Sequence, residues 1–214
     1  MPAKYYGKCG VMISFCNYML VKGGDYVEAR FCLSCGQRLE VRSMGGENRK
    51  ACPSCSFVFW GNYSIGVGAL IMKDKKILLV RRCQEPGKGL WTNPGGYIEQ
   101  YEPIEKSIVR EVYEETGIKS RVKGIVAIGD LPRNVHNVYL VFLMDYIEGH
   151  PQADKVEVDD AGFFSQNDME LMDVADLTRR LACIAFEQPS YGLISDTKPM
   201  LSLPNYGLYH VQRL

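Results

Sequence analysis

The 214-residue chain has no surplus of either charge: Lys and Arg number 25, and so do Asp and Glu. A balanced chain exerts no general attraction on nucleic acid or an anionic membrane, so contact with a polyanion must come from a local site. Long apolar runs are missing too. The longest clean one, Val138 to Met144, is far below the ~20 residues that span a bilayer. Val11 to Val21 is interrupted by Ser14 and Asn17, and no signal peptide is readable. A soluble, cytoplasmic protein is therefore expected. Gly and Pro supply 31 of the 214 residues, which excludes the ~25–30% of a low-complexity chain. Eight cysteines fall short of the ~8–10% of a disulfide scaffold.

What is present is enough apolar residue, 46%, for a real core, at a length that suggests one domain and a small module. The first 30 residues carry no usable motif and read as an N-terminal extension of unknown structure. Residues 31–60 are turn-rich and hold four of the cysteines as two pairs, Cys32/Cys35 and Cys52/Cys55, with Gly45-Gly46 between them. Each CxxC turn aims two sulfurs at one centre, and Gly36 permits the left-handed backbone such a knuckle needs. Four thiolates make the tetrahedral set of structural Zn²⁺. Two redox dithiols or two disulfides are the other readings. A closed site of this kind has no open position for catalysis; its work is to fold a segment whose core is too small. The apolar strip Phe57 to Trp60 then packs the ribbon onto the next domain or onto a partner subunit.

From residue 61 the chain reads as a larger domain running to 214. Ile65 to Met72 and Ile77 to Arg82 are strand-like and are joined by the polar turn Lys73 to Lys76. A Gly- and Pro-rich loop spans Gly87 to Gly96. A helix fits Pro103 to Thr116, with Pro103 in the first turn and Gly117 as the stop. Strands follow at Val122–Ile128, Val138–Tyr146 and about Val156–Phe164, and a second helix at Asp168 to about Phe186. Strands, helix, strands, helix predicts an α/β fold, a mixed sheet between helices.

The predicted helix carries Glu111, Glu114 and Glu115. With Glu111 at zero on a helical wheel, Glu115 falls near ~40° and Glu114 near ~300°. Ile104, Ile108, Val112 and Val109 span roughly 20° to 160°, so Glu115 overlaps the apolar face. Carboxylates crowded beside a core are unfavourable unless cations neutralise them. Hard oxygen donors suit Mg²⁺ or Mn²⁺, which also bind phosphates. A merely solvated acidic helix would leave the glycine loop before it unexplained.

Loop and helix together read Gly96, five residues, Glu102, seven residues, then Arg110-Glu111-Val112-Tyr113-Glu114-Glu115-Thr116-Gly117-Ile118. This constellation resembles the Nudix hydrolase signature at every defined position. The resemblance implies an α/β/α sandwich whose loop–helix–loop site binds a divalent metal and hydrolyses a diphosphate linked to a nucleoside. By position, Glu111, Glu114 and Glu115 are the implied ligands of Mg²⁺ (or Mn²⁺), with the Gly95 carbonyl, and Glu102 and Arg110 an implied structural ion pair. A zinc ribbon before such a domain is similar to the NADH pyrophosphatase group. That group's Ser-Gln-Pro-Trp-Pro-Phe-Pro segment is here Ile128-Gly129-Asp130-Leu131-Pro132-Arg133-Asn134. The departure points away from NADH and toward the zinc-ribbon FAD or ADP-ribose pyrophosphatases.

The resemblance also implies a late acidic residue at the site. Of Glu157, Asp159 and Asp160, Asp160 best matches it and is expected to be catalytic. Tyr97 and Tyr139 are candidates to bind the substrate's organic part, and Arg81 its phosphates. The expected partners are a small nucleotide substrate and, as in many relatives, a second copy in a homodimer. Two other functions compete: a non-catalytic nucleotide-sensing regulator, which should have lost signature glutamates, and a hydrolase directed to RNA caps or nucleic acid through ribbon residues Arg30, Arg38, Arg42, Arg49 and Lys50.

Overall fold

The computed structural model describes residues 28–85, 87–195 and 209–214. Nearly all of the expected N-terminal extension lies outside them. Residues 31–60 form a ribbon of their own, a three-stranded antiparallel sheet of β1 (Glu40–Met44), β2 (Glu47–Ala51) and β3 (Val58–Phe59). The β1–β2 hairpin turns on Gly45 and Gly46, at φ 61° and 87°, the left-handed pair that a two-residue turn of this hand requires.

The larger sheet has nine strands, ordered β10-β5-β4-β9-β8-β11-β12, with two short strands added at β4 and β5. Its centre is β4 (Tyr63–Lys73), flanked by β5 (Lys76–Arg82) and by a parallel β9 (His136–Glu148). The β4–β5 turn is tighter than expected. It holds only Asp74 and Lys75, both at positive φ, so the flanking lysines join the strands. Beyond β9 lie β8 (Lys119–Leu131), β11 (Tyr191–Ser195) and β12 (Tyr209–Arg213), and at the other edge β10 (Val158–Phe164). The added strands are β6 (Trp91–Thr92) on β5 and β7 (Gly95–Tyr97) on β4.

Side chains alternate along a strand, so each face of this sheet has its own cover. On one face Val67, Ala69, Ile71, Leu78, Phe142 and Met144 pack with Ile108 and Val112 of α1 (Ile104–Thr116). On the other, Leu70, Ile77, Leu79, Val141 and Leu143 pack with Leu181, Ala182 and Ala185 of α3 (Asp176–Phe186). Burying each of these side chains larger than alanine stabilises by about 1.5–3 kcal/mol. The result is the expected layer of mixed sheet between helices.

The expected second helix is two helices. α2 (Gln166–Glu170) starts at a capping box, in which the Ser165 hydroxyl accepts from Asp168 N–H and the Asp168 carboxylate accepts from Ser165 N–H. α3 follows after a break at 171–175. There Trp91 N–H donates to the Asp173 carbonyl (2.8 Å) and Ala175 N–H to the Trp91 carbonyl (3.0 Å). Backbone groups spent on β6 cannot continue a helix. No helix among the described residues is long and apolar enough to cross a membrane.

Candidate active site

Helix α1 leaves the sheet through β7 and a short loop. Pro103 is its N-cap, and Gly117 ends it at φ 67°, with its N–H donating to the Tyr113 carbonyl at 2.8 Å. β7 lays Gly95 and Gly96 against Gly68 and Val67 of β4. A Cβ on Gly96 would lie 2.4 Å from Cδ of Glu111, and one on Gly95 would lie 2.2 Å from the Val67 carbonyl oxygen. Bare backbone is therefore what lets the helix carboxylates reach the loop. Gly95 N–H donates to Glu115 Oε2 at 2.9 Å.

Arg110 ties the helix to that loop. Its guanidinium donates to Glu102 at 3.1–3.4 Å, to Glu111 at 2.9 Å, to Glu114 at 3.1 Å and to the Tyr97 carbonyl at 3.5 Å. Glu102 also accepts from the Ser107 hydroxyl at 2.8 Å. Burial opposes the charge of Glu102, yet Arg110 and Ser107 outweigh it and hold the carboxyl below its ordinary range. Burial likewise opposes the Arg110 cation, which Glu102 and Glu111 keep firmly charged. The expected Glu102–Arg110 pair is present, and Arg110 is a hub as well as half of a pair.

Glu115 is different in kind. It is 6% exposed, and among the described residues no lysine or arginine is paired with it. Burial pushes its carboxyl well above the ordinary range; Gly95 N–H pulls the other way, and the charges of Glu111, Glu157 and Asp154 add to the rise. Burial raises Glu111 too, against the pull of Arg110. A buried carboxylate without a counter-charge is costly. The neighbouring donors are all oxygen atoms, which is the chemistry of a hard divalent cation rather than a soft one. Glu111, Glu114 and Glu115 supply donors of that kind from one helix; the charge of Glu114 acts on Glu111, and that of Glu111 on Glu115.

The late acidic residue that reaches this group is Glu157, not Asp160. Along β5 the alternation puts Leu78 on the α1 face and Ile77, Leu79 and Arg81 on the α3 face. Asp160 stands opposite Arg81 in β10 and so shares the wrong face; its carboxylate lies 3.8 Å from that guanidinium. Glu157 precedes the register shift between Val158 and Asp160. The Asp154 carboxylate accepts N–H bonds from Val156, Glu157 and Val158 at 2.9–3.0 Å, and the Glu157 carbonyl accepts from Cys83 N–H at 3.0 Å. That fixes the loop. Burial raises the Glu157 carboxyl, with Asp154 adding and Arg82 opposing. The parity of β5 and β10 was the signal that could have selected it.

The three expected substrate contacts also fall on the α3 face. Tyr139 is 7% exposed in the core, and its hydroxyl accepts from Asn93 Nδ2 at 3.0 Å. Tyr97 is half-buried against the same core. Arg81 is held by Asp159 at 2.6 Å and lies 5.6 Å over the Trp91 ring.

In the ribbon the four Sγ atoms of Cys32, Cys35, Cys52 and Cys55 all lie within 4.8 Å of one another. Cys32 and Cys55 are 3.6 Å apart, and Cys35 and Cys52 are 3.4 Å apart. Four ligands at ~2.3 Å from a tetrahedral zinc would be about 3.8 Å apart, so this set fits. Ser34 and Ser54 N–H donate to the sulfurs of Cys32 and Cys52. Of the Phe57–Trp60 strip, Phe57 to Phe59 are half-buried, whereas Trp60 is 61% exposed beneath the Arg49 guanidinium.

A mixed sheet between helices, with a glutamate-rich helix entered from a glycine loop, defines the Nudix class of proteins. Residues 62–182, more than half of the chain, match the family model described as NUDIX domain, and the chain belongs to that family. An ADP-ribose pyrophosphatase of Methanocaldococcus jannaschii is 36% identical over 109 residues, 50% of this chain and 64% of that protein. An NAD-capped RNA hydrolase NudC of Stutzerimonas stutzeri is 30% identical over 135 residues, 63% of this chain and 48% of that protein. The chain thus spans about half to just under two thirds of the length of these curated relatives. Among solved structures, a NUDIX hydrolase from Nitrosomonas europaea is similar in fold, with a TM-score of 0.67 at 24% identity over 74% of this chain and 91% of that one. A MutT NUDIX hydrolase from Burkholderia pseudomallei gives 0.51 at 30% identity over 59% and 98%.

Proposed function

We propose that the protein is a divalent-metal-dependent pyrophosphohydrolase. It cleaves the diphosphate of a nucleoside diphosphate linked to another moiety, as in ADP-ribose, FAD or NADH, to a mononucleotide and a phosphorylated product. One observation carries this reading: the buried Glu115 of α1, held by the glycine loop through Gly95 N–H and paired with no lysine or arginine among the described residues, within the field of Glu111 and Glu157. The relative named ADP-ribose pyrophosphatase supports the substrate class.

Glu111, Glu114 and Glu115 would hold Mg²⁺ or Mn²⁺, with the Gly95 peptide beside them. When bound, such ions would draw charge from the diphosphate, align it and acidify the attacking water. Arg110 orients Glu111 and Glu114 and, through Glu102 and Tyr97, locks the loop to the helix. Glu157, whose carboxyl burial raises, would take a proton from the attacking water. The four ribbon cysteines would hold a structural Zn²⁺, with the ribbon at 31–60 and the catalytic domain from 61 onward.

The test is a panel of FAD, ADP-ribose and NADH with product masses, with and without Mg²⁺. A mononucleotide appearing only with Mg²⁺ is the expected result. Tight binding without turnover would instead favour the nucleotide-sensing regulator, which the intact set of glutamates argues against.

A further inference from the structure

Beyond the N-terminal end of α1, no described helix covers the α1 face of the sheet at Tyr63 and Ile65, which are exposed. Alternation from Val67 brings Tyr63 and Ile65 to that face, and alternation from Phe142 brings His136 to it. Tyr63 and His136 are direct partners in the parallel β4–β9 pair. Their rings lie 5.8 Å apart, tilted by 30°. Asp130, on neighbouring β8, holds the His136 Nε2 at 2.5 Å, and Tyr63 is tied through its hydroxyl to the Trp60 carbonyl at 3.3 Å. His136 N–H also donates to the Asn62 carbonyl at 2.8 Å. The two rings are thus held in place, yet Tyr63 stays 64% exposed and Ile65 41%. A large ring kept outward and fixed is an unusual use of an aromatic in a strand whose next positions on this face, Val67, Ala69 and Ile71, are buried.

The position relative to the carboxylates gives the patch its meaning. The Glu111 carboxylate rests on Gly96, and Gly96 faces Val67. Tyr63 precedes Val67 by four residues, which is about 13 Å along the strand. An extended nucleoside diphosphate with its phosphates at Glu111 would bring a planar base to this distance, on this face. Two neighbouring rings, with the Asp130 carboxylate beside them, offer a π surface and an acceptor for exocyclic amino groups.

We propose that Tyr63 and His136 form a stacking platform for the nucleobase of the substrate. The inference rests on the pyrophosphohydrolase reading, but it can be tested without turnover. Equilibrium binding of AMP, followed by calorimetry on the full chain, is measured for wild type, Tyr63→Ala, Tyr63→Phe and His136→Ala. Stacking on one aromatic changes affinity by about 5- to 160-fold. Tyr63→Ala and His136→Ala are expected to weaken AMP binding by that factor, while Tyr63→Phe, which keeps the ring and loses only the hydroxyl, stays near wild type. In the hydrolysis assay the same loss is expected to fall on KM rather than kcat. Far-ultraviolet dichroism shows that the variants fold. AMP affinity unchanged in Tyr63→Ala, or absent in wild type, overturns the platform. AMP binding that depends on Tyr63 in a protein that hydrolyses nothing keeps the platform and overturns the hydrolase reading.

Discussion

Glu115 and Glu102 are both glutamates of one loop–helix unit, and their surroundings drive them in opposite directions. Glu102 has Arg110 and Ser107, and its carboxyl sits below the ordinary range. A carboxyl lowered on folding adds stability above its unfolded titration range, and that stability is lost as pH falls through the folded value. Glu102→Gln should therefore cost on the order of 1 kcal/mol at neutral pH, and the cost should shrink toward pH 3. Thermal melts of variant and wild type across that range check it; a pH-independent gap would deny the ion pair. Glu157 and Asp160 form the other informative contrast. Glu157→Gln is expected to lower kcat by about 10²–10⁴-fold. Asp160→Asn, on the far face beside Arg81, should change it little. The reverse order in a steady-state assay would restore Asp160.

At the scale of elements, the ribbon and the α1 loop are each closed by a few backbone bonds around a cluster of like groups. The ribbon has almost no core: β1 is exposed along its whole length, so its four sulfurs must carry its folding. Cys52→Ser is expected to reduce bound zinc from about one equivalent per chain to a small fraction, by elemental analysis. It should also open 31–60 to proteolysis while the larger sheet persists. Full zinc retention would contradict the four-cysteine site. The elements also show what a sequence can and cannot disclose. α1 was legible because both ends are chemical, Pro103 and Gly117, and its apolar stripe is regular. The second helix was misread because its interruption depends on β6, and nothing in Leu171 to Ala175 announces that Trp91 will claim their backbone. Tyr139, Tyr97, Arg81 and Asp160 lie on the α3 face, a placement that residue types alone do not disclose. Which face of a sheet a residue occupies depends on strand register, and the shift between Val158 and Asp160 reverses the parity that a simple count would give.

At the scale of the molecule, a chain with no net charge concentrates its electrostatics in one place. Glu111 and Glu115 meet the glycine strand where it joins β4, and the charges of Glu114 and Glu157 act on the same group. Arg110 compensates part of that charge, and among the described residues no lysine or arginine is paired with Glu115. The proposed work of Glu115 is to hold a metal against a diphosphate. The most direct measurement is the rate of ADP-ribose cleavage against Mg²⁺ concentration, with product masses, for wild type and Glu115→Gln. The predicted result is AMP and ribose 5-phosphate from wild type only when Mg²⁺ is present, and a rate about 10²–10⁴-fold lower in the variant. Equal rates in the two proteins, or cleavage independent of the metal, would contradict it.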